Sequence, residues 1–394
     1  MSVTVHNPDQ YMGSLRQVIA QGRKRIGLLV GAGAPASISV SGKPLIPTTD
    51  DLTRIVLAAL GAKYETTLDE IKTSIKIPNI ENILSRVRTL AGVIGTTEVH
   101  GLDAGGHEAL GEAICDEIGK IANKSLPGSV SPFSEIVSWI SGTDRSHAVE
   151  IFTTNYDLLF EQALEQAKAP YFDGFTGARE PFFDPSSVAN DDLPPRWTRL
   201  WKLHGSLGWK SNSREEVIRT GEPSATHLVF PEHLKYEQTQ KAPYAALFDR
   251  LRAFLMLSDT ILVAIGFSFA DAHISARIDE CLSANPSASV FAFQYKILEQ
   301  ENWACDIASR RANMSVYSPD RAMINGIVAP WAPGDPPTRD WEPIRSVFWD
   351  TSPGATAPTF VLGDFKRFTR FFASSRSQIF LVGPPVAAGT AISP

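Results

Sequence analysis

The stretch Ile151-Phe152-Thr153-Thr154-Asn155-Tyr156-Asp157 begins as an apolar strand and stops abruptly at polar side chains. Three other stretches have the same form: Ile26-Gly27-Leu28-Leu29-Val30-Gly31-Ala32-Gly33, Trp201-Lys202-Leu203-His204-Gly205-Ser206, and Ile261-Leu262-Val263-Ala264-Ile265-Gly266-Phe267-Ser268. In an open α/β sheet such strand ends gather along one crevice, where ligands bind. Four of them in one chain predict an α/β fold built on a doubly wound, mostly parallel, Rossmann-like sheet.

Around these strands the pattern alternates. A helix is expected from Thr48 or Thr49, with Asp50 and Asp51 in its first turn and Gly61 ending it. From Leu68 to Trp139 the apolar spacing is mostly helical, with one stripe of Ile80, Ile83, Leu84, Val87 and Leu90 and another of Leu110, Ile114, Ile118 and Ile121. This is read as a helical insertion over about 62–145, between the first and second sheet strands. A helix over Leu158–Ala167, a helix with Ile274, Ile278 and Leu282 facing inward, and a strand at Ser289–Phe293 complete the pattern. Pro170–Pro195 reads as a long irregular loop of the kind that serves as a lid. Residues 1–318 are taken as the main domain and 319–394 as a C-terminal accessory region with a Pro-rich stretch, a helix near Phe360–Ser374 and a broken apolar tail.

A chain of 394 residues, 43% apolar and 20% charged, buries a large core. The net charge of −6 gives no overall attraction to nucleic acid or membrane. No apolar run approaches a membrane span, and the N-terminus lacks a basic region followed by an apolar one. Cys115, Cys281 and Cys305 are scattered and form no CxxC pair, which excludes a four-cysteine zinc ribbon and fits a reducing cytoplasm.

The strand ends carry the candidate chemistry. The turn Gly31-Ala32-Gly33 allows backbone to approach a phosphate closely, although it lacks the GxGxxG form and serves equally as a tight strand–helix turn. His204 is placed where a general base would stand. Asn155 serves either the chemistry or the turn, Asp157 also reads as a cap for the following helix, and Asp271 reads as the cap of the helix after Ser268. Gly266-Phe267-Ser268 makes a small-residue turn facing ribose or phosphate. His227 and His233 are read as lid or surface residues. No HExxH, GxSxG or GxxxxGK[ST] occurs.

In this order, the GAG turn, Thr153–Asp157 (TTNYD), Lys202–Ser206 (KLHGS) and Gly266–Ser268 (GFS) resemble the sirtuin family over roughly residues 20–295. They are most similar to its bacterial antiviral-defence branch, which lacks the deacylases' zinc module. The resemblance implies an NAD+ glycohydrolase that releases nicotinamide and ADP-ribose, with NAD as substrate and no metal. It implies Asn155 and His204 as the catalytic pair and Gly31, Ala32, Gly33, Ser37, Thr154, Asp157, Gly266 and Ser268 as NAD-binding residues. It further implies a homo-oligomer and, through Gly363-Asp364-Phe365, pairing with a HerA-like hexameric ATPase. The alternatives are an NAD-dependent protein deacylase and a non-catalytic NAD- or ADP-ribose-binding scaffold.

Overall fold

The structure is a computed structural model that describes residues 4–375 except 129, 215, 222, 224–242, 337, 339–340 and 352–357. His227, His233 and the apolar tail from Ile379 lie outside the described residues.

One nine-stranded sheet organises the chain. Numbered in chain order, its strands are β1 (Arg25–Val30), β2 (Glu150–Thr153), β3 (Tyr171–Phe172), β4 (Thr198–Lys202), β5 (Thr260–Ile265), β6 (Ser289–Phe293), β7 (Met314–Tyr317), β8 (Arg321–Ile324) and β9 (Ile327–Pro330). Their spatial order is β9-β8-β7-β6-β5-β1-β2-β4-β3. Strands β1 to β7 run parallel, and β8 and β9 add an antiparallel edge. The fold is therefore the α/β, mostly parallel sheet that the four strand ends predicted. The chain leaves central β1 for β2 on one side and later returns to β5 on the other, so the connection reverses beside β1.

Both faces of the sheet are covered. Leu28, Val30, Ile151, Leu200, Val263 and Ile265 pack into one core with helices Pro8–Ala20, Pro132–Ser141 and Phe365–Ser374. Their neighbours Leu29, Phe152, Trp201, Leu262 and Ala264 pack into the other, with helices Tyr244–Met256 and Ala272–Ala284. This period of two, applied to strands apolar on both faces, gives the uninterrupted apolar runs of the sequence.

Helices Thr49–Thr73, Ile80–Val93 and Ala104–Ala122 form a core of their own, which starts before the expected insertion boundary, while Pro132–Ser141, inside the expected 62–145 span, packs instead on the sheet. Tyr156 and Leu207, from the turns after β2 and β4, join that core and tie the insertion to the sheet's C-terminal edge. Gly61 does not end the first of these helices, which runs on to Thr73 through a kink at Tyr64 (φ −129°, ψ 18°). Burial of Tyr64, Leu68 and Ile71 outweighs the helix penalty of about 1 kcal/mol for one glycine.

Pro170–Pro195 is not irregular either. It supplies β3, the short helix Pro185–Asn190, and Phe175–Thr176 and Phe182–Phe183 of a four-stranded sheet completed by Trp209–Ser211 and Val217–Arg219. These strands form two local hairpins joined through Phe182 and Ile218, and strands of two or three residues are too short for an alternating pattern to announce them. Beyond residue 319, β8 and β9 extend the central sheet, and the helix expected near Phe360 begins at Phe365. Within Gly363-Asp364-Phe365, Asp364 caps that helix, accepting from Arg367 N at 3.0 Å, and Phe365 is buried.

Candidate functional site

The register places the ends of four parallel strands at one level, since Val30 pairs with Thr153 and Ile265, and Thr153 with Lys202. The next residues, Gly31, Thr154, Leu203 and Gly266, leave the sheet together. Asn155 and His204 each lie two residues beyond that level on adjacent strands.

The glycine turns are built against each other. Gly31 N donates to Ile265 O at 3.1 Å, and Gly33 N to Gly266 O at 3.0 Å. A Cβ on Gly31 would collide with Gly266 O, and one on Gly33 would lie 2.7 Å from Gly266 Cα. Gly266 itself has φ +64°, the left-handed region that favours glycine. These three glycines are required by a backbone-on-backbone contact before any ligand is considered. Ser37 Oγ donates to Ala34 O at 2.8 Å and closes the one-turn helix Gly33–Ala36, whose first position follows Ala32. Ser268 is exposed, and its Oγ accepts from Ala270 N at 3.4 Å.

Asn155 is buried on this scaffold. Its Nδ2 donates to Gly31 O at 3.1 Å, and its backbone N donates to Thr153 Oγ1, which in turn donates to Val30 O. Half-buried Thr154 donates its N–H to Val30 O at 3.3 Å. Asp157 is not the N-cap of the next helix, a place taken by Leu158, but one residue earlier its Oδ1 accepts from Leu159 N at 3.1 Å, and burial raises its pKa against the nearby Lys202 ammonium. Lys202 is itself buried and donates to Asp157 O and, at 2.9 Å, to Glu161.

His204 is 2% exposed. Its Nε2 lies 2.8 Å from Asp271 Oδ2, and its Nδ1 is buried without a hydrogen-bond partner. Burial works against the imidazolium, but the hydrogen bond to Asp271, that carboxylate's charge and the charge of Glu81 prevail, and the pKa lies above the ordinary value. Asp271 does cap the Ala272–Ala284 helix, as its spacing predicts, through Oδ1 to the His273 and Ile274 amides. Its second role, holding His204, spans 67 residues and has no local signal.

Two more participants escape the sequence reading. Tyr156 donates its hydroxyl to Glu81 of the Ile80–Val93 helix at 3.2 Å, and burial together with Glu81 keeps the phenol neutral. Buried Gln294, just beyond the end of β6, donates Nε2 to Phe267 O at 3.1 Å and braces the turn after β5. Hydrogen bonds thus link Asn155 to the first glycine turn, and His204 to Asp271 shortly after the second. The three cysteines stand apart, Cys115 in the core of the inserted helices, Cys281 in the core of one sheet face and half-buried Cys305 packed against it.

Residues 149–312 match the family model described as SIR2-like domain. The matched segment contains Asn155, His204, the Gly266–Ser268 turn and Asp271, and begins after the Gly31–Gly33 turn. No curated protein matches the chain. Among solved structures, one described as "Structural Basis for the Mechanism and Regulation of Sir2 Enzymes" is 15% identical, covers 72% of this chain and 84% of its own, and superposes with a TM-score of 0.34. No helix among the described residues is long and apolar enough to cross a membrane.

Proposed function

We propose that this protein is an NAD+ glycohydrolase that acts at the C-terminal edge of β1, β2, β4 and β5. The observation that carries the reading is the SIR2-like match over a segment whose two adjacent strand ends present a buried Asn and a buried, carboxylate-backed His. The chemistry suits these groups. The bond between nicotinamide nitrogen and ribose C1′ breaks, and nicotinamide leaves with the electron pair as a neutral molecule. Water oxygen bonds to C1′, and its proton passes to His204. Asn155 orients the ribose or the attacking water. Positioning supplies much of the rate because the leaving group is already good. The glycine turns, with Ala32, Ser37, Thr154, Asp157 and Ser268 around them, receive the dinucleotide.

Continuous turnover would drain NAD+, so the reading includes a restrained cytoplasmic enzyme of an antiviral defence system, released by homo-oligomer assembly or a HerA-like ATPase. That part rests on the motif resemblance, and a fully active purified monomer would refute it. The test of the activity is NAD+ loss and nicotinamide release by wild type, His204→Ala and Asn155→Ala, with and without an acyl-lysine peptide. We expect turnover without peptide and a loss of about 10²–10⁴-fold in His204→Ala. Release only with peptide would favour a deacylase, and NAD+ binding without turnover would favour a scaffold.

A further inference from the structure

We infer that Asp271 is a positioning residue that selects Nδ1 of His204 as the atom that takes the proton. This rests on the reading of His204 as the base. An ionised carboxylate only accepts hydrogen bonds, so at 2.8 Å from Asp271 Oδ2 the Nε2 atom must carry hydrogen. In the neutral ring the lone pair then lies on Nδ1, the atom that is buried and makes no hydrogen bond within the protein.

Asp271 is built to hold that arrangement. Its two oxygens divide the work: Oδ1 accepts from His273 N at 2.9 Å and Ile274 N at 3.0 Å, while Oδ2 serves His204. Those amides belong to the first turn of a 13-residue helix, whose positive end favours the ionised carboxylate. Two other groups act near the ring: Glu81, whose charge is felt there, and Tyr156, whose ring lies 6.5 Å away and whose hydroxyl is turned to Glu81. Neither makes a hydrogen bond to Nδ1. When water attacks C1′ and yields its proton, Nδ1 receives it, and the resulting imidazolium is paired through Nε2–H with Asp271. Nicotinamide departs with the electron pair of the broken bond, and the proton passes on to solvent.

A purely structural clamp between the turn after β4 and the Ala272–Ala284 helix would leave the tautomer irrelevant. The test is therefore ¹⁵N-histidine NMR of the full chain, with the His204 signals assigned by their loss in His204→Gln, alongside kcat and KM. Wild type is expected to show hydrogen on Nε2 in the neutral ring. Asp271→Asn keeps an oxygen for the helix cap but turns an amide donor toward Nε2, which moves the hydrogen to Nδ1. We expect kcat to fall by about 10²-fold with KM little changed. A wild-type ring protonated on Nδ1, or an Asp271→Asn variant with tautomer and kcat unaltered, overturns the assignment. The wild-type measurement stands even if the variant fails to fold. Absence of turnover in wild type would remove the hydrolase reading and with it the role of Nδ1 as proton acceptor, while the spectra would still report whether Asp271 sets the tautomer of His204.

Discussion

His204 owes its character to neighbours rather than to burial alone. Burial favours the neutral ring, yet Asp271 and Glu81 hold its pKa above the ordinary value. A base must be neutral to act, so kcat/KM should climb as pH rises through that raised pKa. Glu81→Gln removes one of the two negative charges and should shift this acid limb to lower pH. Parallel pH profiles from about pH 5 to 9 check it, and superimposable limbs would show that Glu81 is not felt at the ring. The same shift bears on stability. Because the folded pKa exceeds the unfolded value of about 6.5, the charged pair contributes fully below that pH and is lost as pH rises through the folded value. The melting-temperature gap between wild type and His204→Gln should therefore narrow with rising pH.

At the level of elements, the two glycine turns are one construction. A Cβ on Gly266 would sit 2.8 Å from Ala34 N at a positive φ, and one on Gly31 would strike Gly266 O, with backbone on both sides of each contact. Gly31→Ala and Gly266→Ala should each cost about 1–3 kcal/mol in chemical denaturation. Gly61 is the opposite case, inside a helix with nothing within 4 Å of where an added Cβ would lie. Gly61→Ala should stabilise by roughly 0.5–1 kcal/mol, and a loss of stability there would contradict the helical account. Gly61 misled the sequence reading because glycine is a helix-stop signal only where tertiary packing does not continue the helix. The strands were legible for a related reason: β1 and β5 are buried on both faces and leave long apolar runs, whereas β4 buries Arg199 and Lys202 beside Asp191 and Glu161 and shows only a short apolar centre.

Across the molecule, the insertion and the sheet meet through few side chains. Leu207, 1% exposed, and Tyr156 place the turns after β4 and β2 inside the insertion's core. Leu207→Ala should cost about 2–5 kcal/mol and raise hydrogen exchange in the Ile80–Val93 helix, which carries Glu81. Unchanged exchange in that helix would mean the insertion core stands without the sheet. Since Glu81 bonds to Tyr156 and its charge raises the pKa of His204, loosening this contact should also move the pH profile of turnover.

The α/β class, the main parallel strands, the helical pattern between β1 and β2, and the strand-end positions of Asn155 and His204 are all legible in the amino-acid order. Each follows from a short-range rule: apolar runs make buried strands, spacing of three and four makes helices, and polar residues begin where a strand leaves the sheet. Folding in three dimensions settles the rest: the pairing of His204 with Asp271, the bond from Tyr156 to Glu81, the mutual packing of the glycine turns, and the small sheet that replaces the expected loop. The first two of these contacts span 67 and 75 residues, and one residue type is compatible with many partners until folding selects one. Asp271 shows the division within a single side chain. Its capping role is written in the residues that follow it, and its hold on His204 is written only in the packing of β4 beside β2 and of β5 beside β1.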